Sequence, residues 1–401
     1  MVTATVDKAL PYDDPLVRAT QVADCLDSLD SFLKRYQPLV ARAEQETHLQ
    51  VYVEGLLSHL PRKSIEPIAT AHGLYRRPLQ HFVGAGKWCD VTLRDELRRH
   101  VAAEISAPEG VLVIDGSGFH KTGPESCGVA RQWCGRLGKI ENCQVGVFLA
   151  YATPRGATLV DAELYLPADW AADRARRKKT HVPKAVQFQT SWQLADALLA
   201  RTGPHLPHAW IVGDDEYGRP SEFRDRLADR HERYLLEVPN NTLVRRPPDW
   251  PGRSVKWHTA LYRKKRRPHD KWKRFVLRDG HKGPIEVFAF CTRVETKRTD
   301  AEGKVAPARE EVLLVMQKIN GSQTWYFLAP KGTPLNTAAL VKVAAHRHSV
   351  EEVFEAAKGE VGFAHYEVRS HVGWHHHMTL SMLALWFLVL ERRRLGKKLL
   401  H

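Results

Sequence analysis

Residues 111–123 read VLVIDGSGFHKTG, and the interpretation of this stretch decides the fold. Apolar residues, mostly β-branched, run without polar interruption into Asp115, and Gly116, Gly118 and Lys121 follow. A continuous apolar run bounded by turn residues is the pattern of a buried strand. A carboxylate at the end of such a strand is costly unless something cationic meets it there. The sequence therefore poses a question: what meets Asp115?

Working outward, GVLVID, CQVGVFLAYATP and ATLVDAELYLP follow one another as strands with Gly/Pro turns between them, as antiparallel neighbours require. A helix (SWQLADALLAR), a strand (HAWIVGDD), a helix (SEFRDRLADR) and a strand (RYLLEVP) come next. That order predicts a mixed α/β sheet with helices packed on it. Upstream, residues 16–105 carry apolar residues at three- and four-residue spacing and read as helical. Within them, SIEPIATAHGLYRRPLQHFV has the spacing of two helices joined at Gly73, with Ala69 at the close approach and Leu79 and Phe82 packed inward. The second helix would present Tyr75, Arg76, Arg77 and Gln80, either to phosphates and base edges or, as an ordinary hairpin, to solvent.

At 401 residues the chain has room for one large core or two to three domains, and its formal net charge of +14 favours an anionic partner, nucleic acid ahead of a membrane surface. Residues 241–280 concentrate that charge, with 13 Lys and Arg against three Asp. The cations include Arg263, Lys264, Lys265, Arg266 and Arg267, threaded with Trp250, Trp257, Tyr262 and Trp272. Such interleaving suits backbone contact with base stacking, whereas a solvated face is the plainer alternative. PIEVFAFCTRVE, EVLLVMQKI and TWYFLAP read as further strands, so 241–335 forms a mostly β insertion between two parts of an α/β core. Helices return at 336 with NTAALVKVAAHR, SVEEVFEAAKGEVG and HHMTLSMLALWFLVLERRR.

Six cysteines without a CxxC read as free thiols in a reducing cytoplasm. The N-terminus shows no apolar leader, and the longest apolar run, the 13 residues 378–390, is short for a bilayer and suits a buried helix. His375, His376 and His377 diverge by about 100° each on a helix and cannot all face one ion, which leaves DNA contact or solvent.

Asp214 ends a second apolar strand, with Asp215 and Glu216 ahead of a Tyr217–Gly218 turn. Acids ending two strands of one sheet can converge at an edge and, with a third, hold two hard divalent cations, Mg²⁺ or Mn²⁺. They can equally begin turns and cap helices. In HRHSVEEVFEAAKGE, Arg347, Glu351 and Lys358 share one helical face if the helix is continuous. Ser349 and Glu352 have the spacing of a capping box, so Glu352 is assigned to the cap and Glu351 to the metal.

The strings IDGSGFHKTGPESCGVARQWCGRLGKIENCQVGV, LYLPADW, DDEYG and VEEVFEAAKGEVGFAHYEVRS followed by GWHHHMTLSMLA resemble insertion-sequence transposases of the DDE type. The group is the one related to the IS-four and IS-seven-zero-one families, and the likeness spans roughly residues 30–390. It implies Asp115, Asp214 and Glu351 as catalytic, metal-holding acids, Asp214 rather than Asp215 because the family acid lies three residues before the turn Tyr. The helical signature of the family is matched at Arg347, Glu351 and Lys358, but its Tyr position is Ala344 here.

The resemblance further implies an α/β, RNase H-like (retroviral integrase) core interrupted by a mostly β insertion and preceded by an N-terminal helical domain. The expected boundaries are 1–105 helical and DNA-binding, 106–240 core, 241–335 basic insertion, 336–395 core with the catalytic helix, and 396–401 basic tail. The expected activity is two-ion cleavage of double-stranded DNA at transposon ends and strand transfer into target DNA by a homodimer in a synaptic complex. It would act in the bacterial cytoplasm, with no membrane and no small-molecule substrate. Expected DNA contacts are Lys121, Arg347, Lys358, the 263–267 cations, Arg76, Arg77, and Trp257 or Trp272 stacked on a base. A transposase-derived repressor and a nuclease without strand transfer are the alternatives.

Overall fold

A computed structural model describes residues 15–249, 256–278, 284–299 and 303–395. Trp250, Asp279 and the basic tail 396–401 lie outside the described residues. The chain divides into two compact units, one of Met1–Leu97, Ala356–Val368 and His376–His401, the other of Arg98–Glu355 and Arg369–His375.

The second unit is built on a mixed sheet of twelve strands among the described residues. In chain order they are β1 (Val111–His120), β2 (Ala130–Cys134), β3 (Lys139–Thr153), β4 (Gly156–Leu164), β5 (Trp210–Gly213) and β6 (Tyr234–Glu237). Then follow β7 (Leu243–Arg245), β8 (His258–Thr259), β9 (Lys273–Arg278), β10 (Ile285–Thr299), β11 (Val305–Lys318) and β12 (Thr324–Pro330). The spatial order is β2-β3-β1-β5-β6-β12-β11-β10-β7-β8, with β4 beside β3 and β9 beside β10. β1, β5 and β6 run parallel to one another, and β1 is antiparallel to β3.

The continuous apolar run of β1 follows from this position: it is an inner strand, and Val111, Leu112, Val113 and Ile114 are buried. The helices Ser191–Thr202 and Ser221–Asp229 supply the crossovers that parallel strands need. The strands after residue 240 extend the same sheet, because β12 pairs antiparallel with β6. They pack their own apolar cluster, Val238, Val244, Phe290, Leu313, Tyr326 and Leu328 among it, with Trp272 against its edge.

Asp115 does not end its strand, as the sequence suggested. β1 continues to His120 because β3 is long enough to pair with it from Val111 to His120. Gly118 also serves packing: a Cβ there would lie 2.9 Å from Cys134 Sγ.

The first unit is helical among its described residues. Its helices include Pro15–Leu33, Ala43–Leu57, Ile65–Ala71 and Arg76–Ala85, and Met378, Leu380, Met382, Leu383 and Trp386 are buried within it. The Gly73 turn is left-handed (φ 66°), and Ala69, Leu79 and Phe82 are buried between helices. No helix among the described residues is long and apolar enough to cross a membrane.

The histidine run corrects an expectation: His375, His376 and His377 are all buried, facing neither solvent nor a DNA surface. Each finds its own partners. His376 stacks on Trp88 at 3.6 Å and faces the Val83 and Trp88 carbonyls, while His377 Nδ1 lies 2.9 Å from the Tyr52 hydroxyl.

Candidate active site

The strand register builds the site. Ile114 pairs with Gly213, and Gly213 pairs with Leu236. Asp115, Asp214 and Glu237 are therefore the next residues on three adjacent parallel strands, a row of carboxylates where the parallel pairing of β1 with β5 ends. Neighbouring strands lie about 4.8 Å apart, so the row is compact.

The loop after β5 fixes Asp214, whose Oδ1 accepts from the Glu216 N–H at 3.0 Å and caps the short helix Asp215–Gly218. Only glycine fits at 218, since a Cβ there would lie 1.7 Å from the Glu237 carbonyl oxygen. The Gly116 N–H donates to Asp115 Oδ1 at 2.8 Å.

A helix brings the remaining groups. Arg347–Glu360 is uninterrupted, as the shared face of Arg347, Glu351 and Lys358 requires. Arg347 Nε lies 3.3 Å from Glu237 Oε2, and its Nη2 lies 3.5 Å from Glu351 Oε1. His348 Nδ1 meets the other Glu351 oxygen at 2.6 Å. Lys358, on the last turn, belongs to the first unit.

The capping box expected of Ser349 is not formed, because the helix already begins at Arg347 and Ser349 lies inside it. Glu352 instead pairs with His348 Nε2 at 3.4 Å.

Arg347 is thus the cation whose charge acts on Asp115, and it acts on four acids at once. Burial pushes the Asp115 carboxyl up to about 7, reinforced by the Asp214 charge and opposed by Arg347. Burial also raises Asp214 to about 6, with Glu216 adding repulsion, and Glu237 to about 7 against the pull of Arg347. Burial works against the Arg347 charge, but Glu237, Glu351, Asp115 and Asp214 outweigh it and raise its pKa. The buried Tyr217 hydroxyl, near the same acids, has no hydrogen-bond partner among the described residues. Among the described residues, carboxylates outnumber cations here, an arrangement that makes the row a functional-site candidate.

Sequence reasoning missed Glu237 because it read RYLLEVP only as a strand. The available signal was positional: like Asp115 and Asp214, Glu237 follows a short apolar strand. Trp325 was missed too. It lines a cavity of about 180 Å³ beside Arg347 and Glu351, together with Ala344, where the family signature carries Tyr. Alternation along TWYFLAP turns Tyr326 and Leu328 into the apolar cluster and leaves Trp325 and Phe327 on the cavity side.

The two tryptophans proposed to stack on a base have neighbours within the chain. Trp257 lies under the Arg245 guanidinium at 4.5 Å, and Trp272 packs edge-on against Phe290 at 4.6 Å. Lys121 stands six residues beyond Asp115, just past the end of a strand rising about 3.3 Å per residue, roughly 20 Å along the chain from the acid.

In the 263–267 run, Lys265 and Arg266 are exposed, whereas Lys264 reaches the Thr324 hydroxyl at 3.0 Å and Arg267 covers Phe290 at 5.0 Å. Arg263 is partly buried, with Nε and Nη2 lacking a hydrogen-bond partner among the described residues. In the first unit, Arg76 and Arg77 are exposed beside Tyr75, which is 91% exposed, and Arg76 pairs with Glu66 at 3.0 Å.

Against known proteins, a family profile described as DDE superfamily endonuclease matches residues 26–287. The chain belongs to this family. The matched span contains Asp115, Asp214 and Glu237 and stops short of Glu351. Over 201 residues the chain is 26% identical to a protein of Microchaete diplosiphon named as a probable transposase for insertion sequence element IS701. That alignment covers 48% of this chain and 53% of the relative, so the chain spans about half the length of the curated relative it matches. Among solved structures, a piggyBac transposase synaptic complex with hairpin DNA aligns over 92% of this chain and 72% of that one. At 10% identity and a TM-score of 0.41, that likeness is too loose to transfer residues or function.

Proposed function

We propose that the protein is a metal-dependent DNA transposase that cleaves transposon ends and transfers the 3′ hydroxyl into target DNA. The observation that carries this reading is the row of Asp115, Asp214 and Glu237 across three parallel strands, joined by Glu351 and Arg347 from one helix. In this reading Asp115, Asp214 and Glu351 are the catalytic acids, and the strands from β1 to β6 form an RNase H-like core.

The donor set fits hard divalent cations. It offers oxygens, burial holds the Asp115, Asp214 and Glu237 carboxyls above their usual range, and the buried Tyr217 hydroxyl has no partner among the described residues. Two Mg²⁺ or Mn²⁺ ions bound there would activate the attacking hydroxyl and stabilise the leaving 3′ oxygen of a phosphodiester. The chain's own groups do the rest. The Gly116 and Glu216 amides fix the two aspartates, and Glu237 holds Arg347, whose guanidinium is available to a phosphate.

DNA binding follows from the concentrated charge of 241–280, and we assign Lys265, Arg266, Lys358, Arg76 and Arg77 to backbone contact. We assign base stacking to Trp325, which lines the cavity beside Arg347 and Glu351. Two ends must be joined together, so the working form is a homodimer in a synaptic complex, acting in the bacterial cytoplasm.

The deciding experiment incubates the protein with labelled DNA from the flanks of its gene in Mg²⁺. Cleavage and joining are expected from the native chain, and end binding without either from Asp115→Asn and Glu351→Gln. Full cleavage by both variants would overturn the site. Binding without a Mg²⁺-dependent nick would mark a repressor, and cutting without joining a nuclease.

A further inference from the structure

We propose that Glu163, His371 and His375 form a second metal site, suited to a borderline transition-metal ion such as Zn²⁺. The three belong to the second unit and share no residue with the carboxylate row. A ligand atom from each lies within 4.8 Å of the others, and both histidines are buried.

Local structure places them. His371 and His375 are four apart on the first turn of the helix His371–Leu395 and so share a face. The turn is well fixed: Ser370 Oγ accepts from the Gly373 N–H at 2.9 Å, and the His371 N–H donates to the Thr180 carbonyl at 2.8 Å. Glu163 reaches them from β4. Its Oε2 accepts from Arg201 Nη1 at 3.0 Å, which leaves Oε1 turned toward His375.

The hydrogen bonds of His375 select its ligating atom. Nδ1 lies 3.0 Å from the His371 carbonyl oxygen, which can only accept, so Nδ1 carries the proton. Nε2 then presents a lone pair to Glu163 Oε1, 2.8 Å away. Two acceptors at that distance need a cation between them, either a shared proton or a metal. A ring whose far nitrogen is anchored on a backbone carbonyl is the usual arrangement of a metal-ligating histidine. Tetrahedral Zn²⁺ with bonds of about 2.0–2.1 Å needs ligand atoms about 3.3 Å apart, a widening of about half an ångström at this contact.

The donor set separates the two centres. Two imidazoles and one carboxylate favour Zn²⁺, whereas Mg²⁺ prefers the all-oxygen row at Asp115 and Asp214. Three protein ligands leave a fourth position for water. A bound ion would tie β4 to the first turn of the helix at His371.

The test uses the full chain, stripped with a chelator and titrated with Co²⁺ as a visible probe. One equivalent should give the intense absorption of a tetrahedral site, displaced by Zn²⁺. His371→Asn with His375→Gln should abolish the band. Glu163→Gln, which keeps size and shape, should weaken binding at least tenfold, and it decides alone if the double variant does not fold. Asp115→Asn should leave the band unchanged, so failure here is distinct from failure of the transposase reading. No Co²⁺ band, a band indifferent to Glu163→Gln, or one lost in Asp115→Asn would overturn the proposal.

Discussion

Two charge clusters in the second unit are built on opposite terms. Asp161, fully buried on β4, is met by Arg201 at 2.6 and 2.9 Å, by Arg98 at 3.1 Å and by the Thr202 hydroxyl at 2.8 Å. Burial works against the Arg201 charge, but Asp161 and Glu163 more than restore it. Where the parallel pairing of β1 with β5 ends, four acids act on Arg347, and burial pushes the Asp115, Asp214 and Glu237 carboxyls toward neutrality. The first cluster surrounds its buried carboxylate with cations and a hydroxyl from the chain and serves stability. The second is short of positive charge, which is what a site awaiting cations and a phosphate looks like.

That contrast can be broken most directly at Asp115. Asp115→Asn should lower end cleavage by about 10⁴-fold or more in Mg²⁺, read as product rates on labelled ends, while end binding stays within a few-fold. At the matched cluster, Asp161→Asn should instead cost about 3 kcal/mol of stability, since it takes the carboxylate from the buried Arg98 and the half-buried Arg201. Urea unfolding at pH 7 measures it, and a loss under about 1 kcal/mol would erase the distinction.

Glu237→Gln should slow cleavage by about 30-fold by loosening Arg347, without unfolding the protein, and single-turnover rates would show it. pH sharpens the comparison further. A carboxyl whose pKa is higher folded than unfolded binds its proton more tightly in the fold. Its stabilising contribution is complete below the unfolded value near 3.9 and is lost as pH rises through about 7 for Asp115. In a chelator, the native protein should therefore lose stability between about pH 4 and 7. Asp115→Asn should recover roughly 1–2 kcal/mol at pH 8, with the repulsion from Asp214 counted once. Melting temperatures across that range would follow it. Lys121→Ala should change cleavage less than about twofold, because β1 carries that lysine roughly 20 Å along the chain from Asp115.

Much of this architecture was legible in the chain. The unbroken apolar runs before Asp115 and Asp214 marked inner strands, and the helix–strand alternation from 191 to 238 marked helices packed on a mixed sheet. The spacing of Arg347, Glu351 and Lys358 marked one helical face. Misreadings came where a local rule met a longer-range partner. Ser349 and Glu352 have cap spacing, but the helix starts upstream of them. The three consecutive histidines are polar yet buried, because Val83, Trp88, Tyr52 and Glu163 supply partners from distant segments.

The sequence by itself determined which residue types could do chemistry, since strand and helix periods are local and depend on a few neighbouring side chains. Only the tertiary structure decided which of them meet. The register of β5 between β1 and β6 sets Glu237 beside Asp214, and helix packing gives Arg347 to four acids rather than one. Those contacts join Ile114 to Gly213, Gly213 to Leu236 and Glu237 to Arg347, on strands and a helix far apart in the chain, and no short window of sequence contains them.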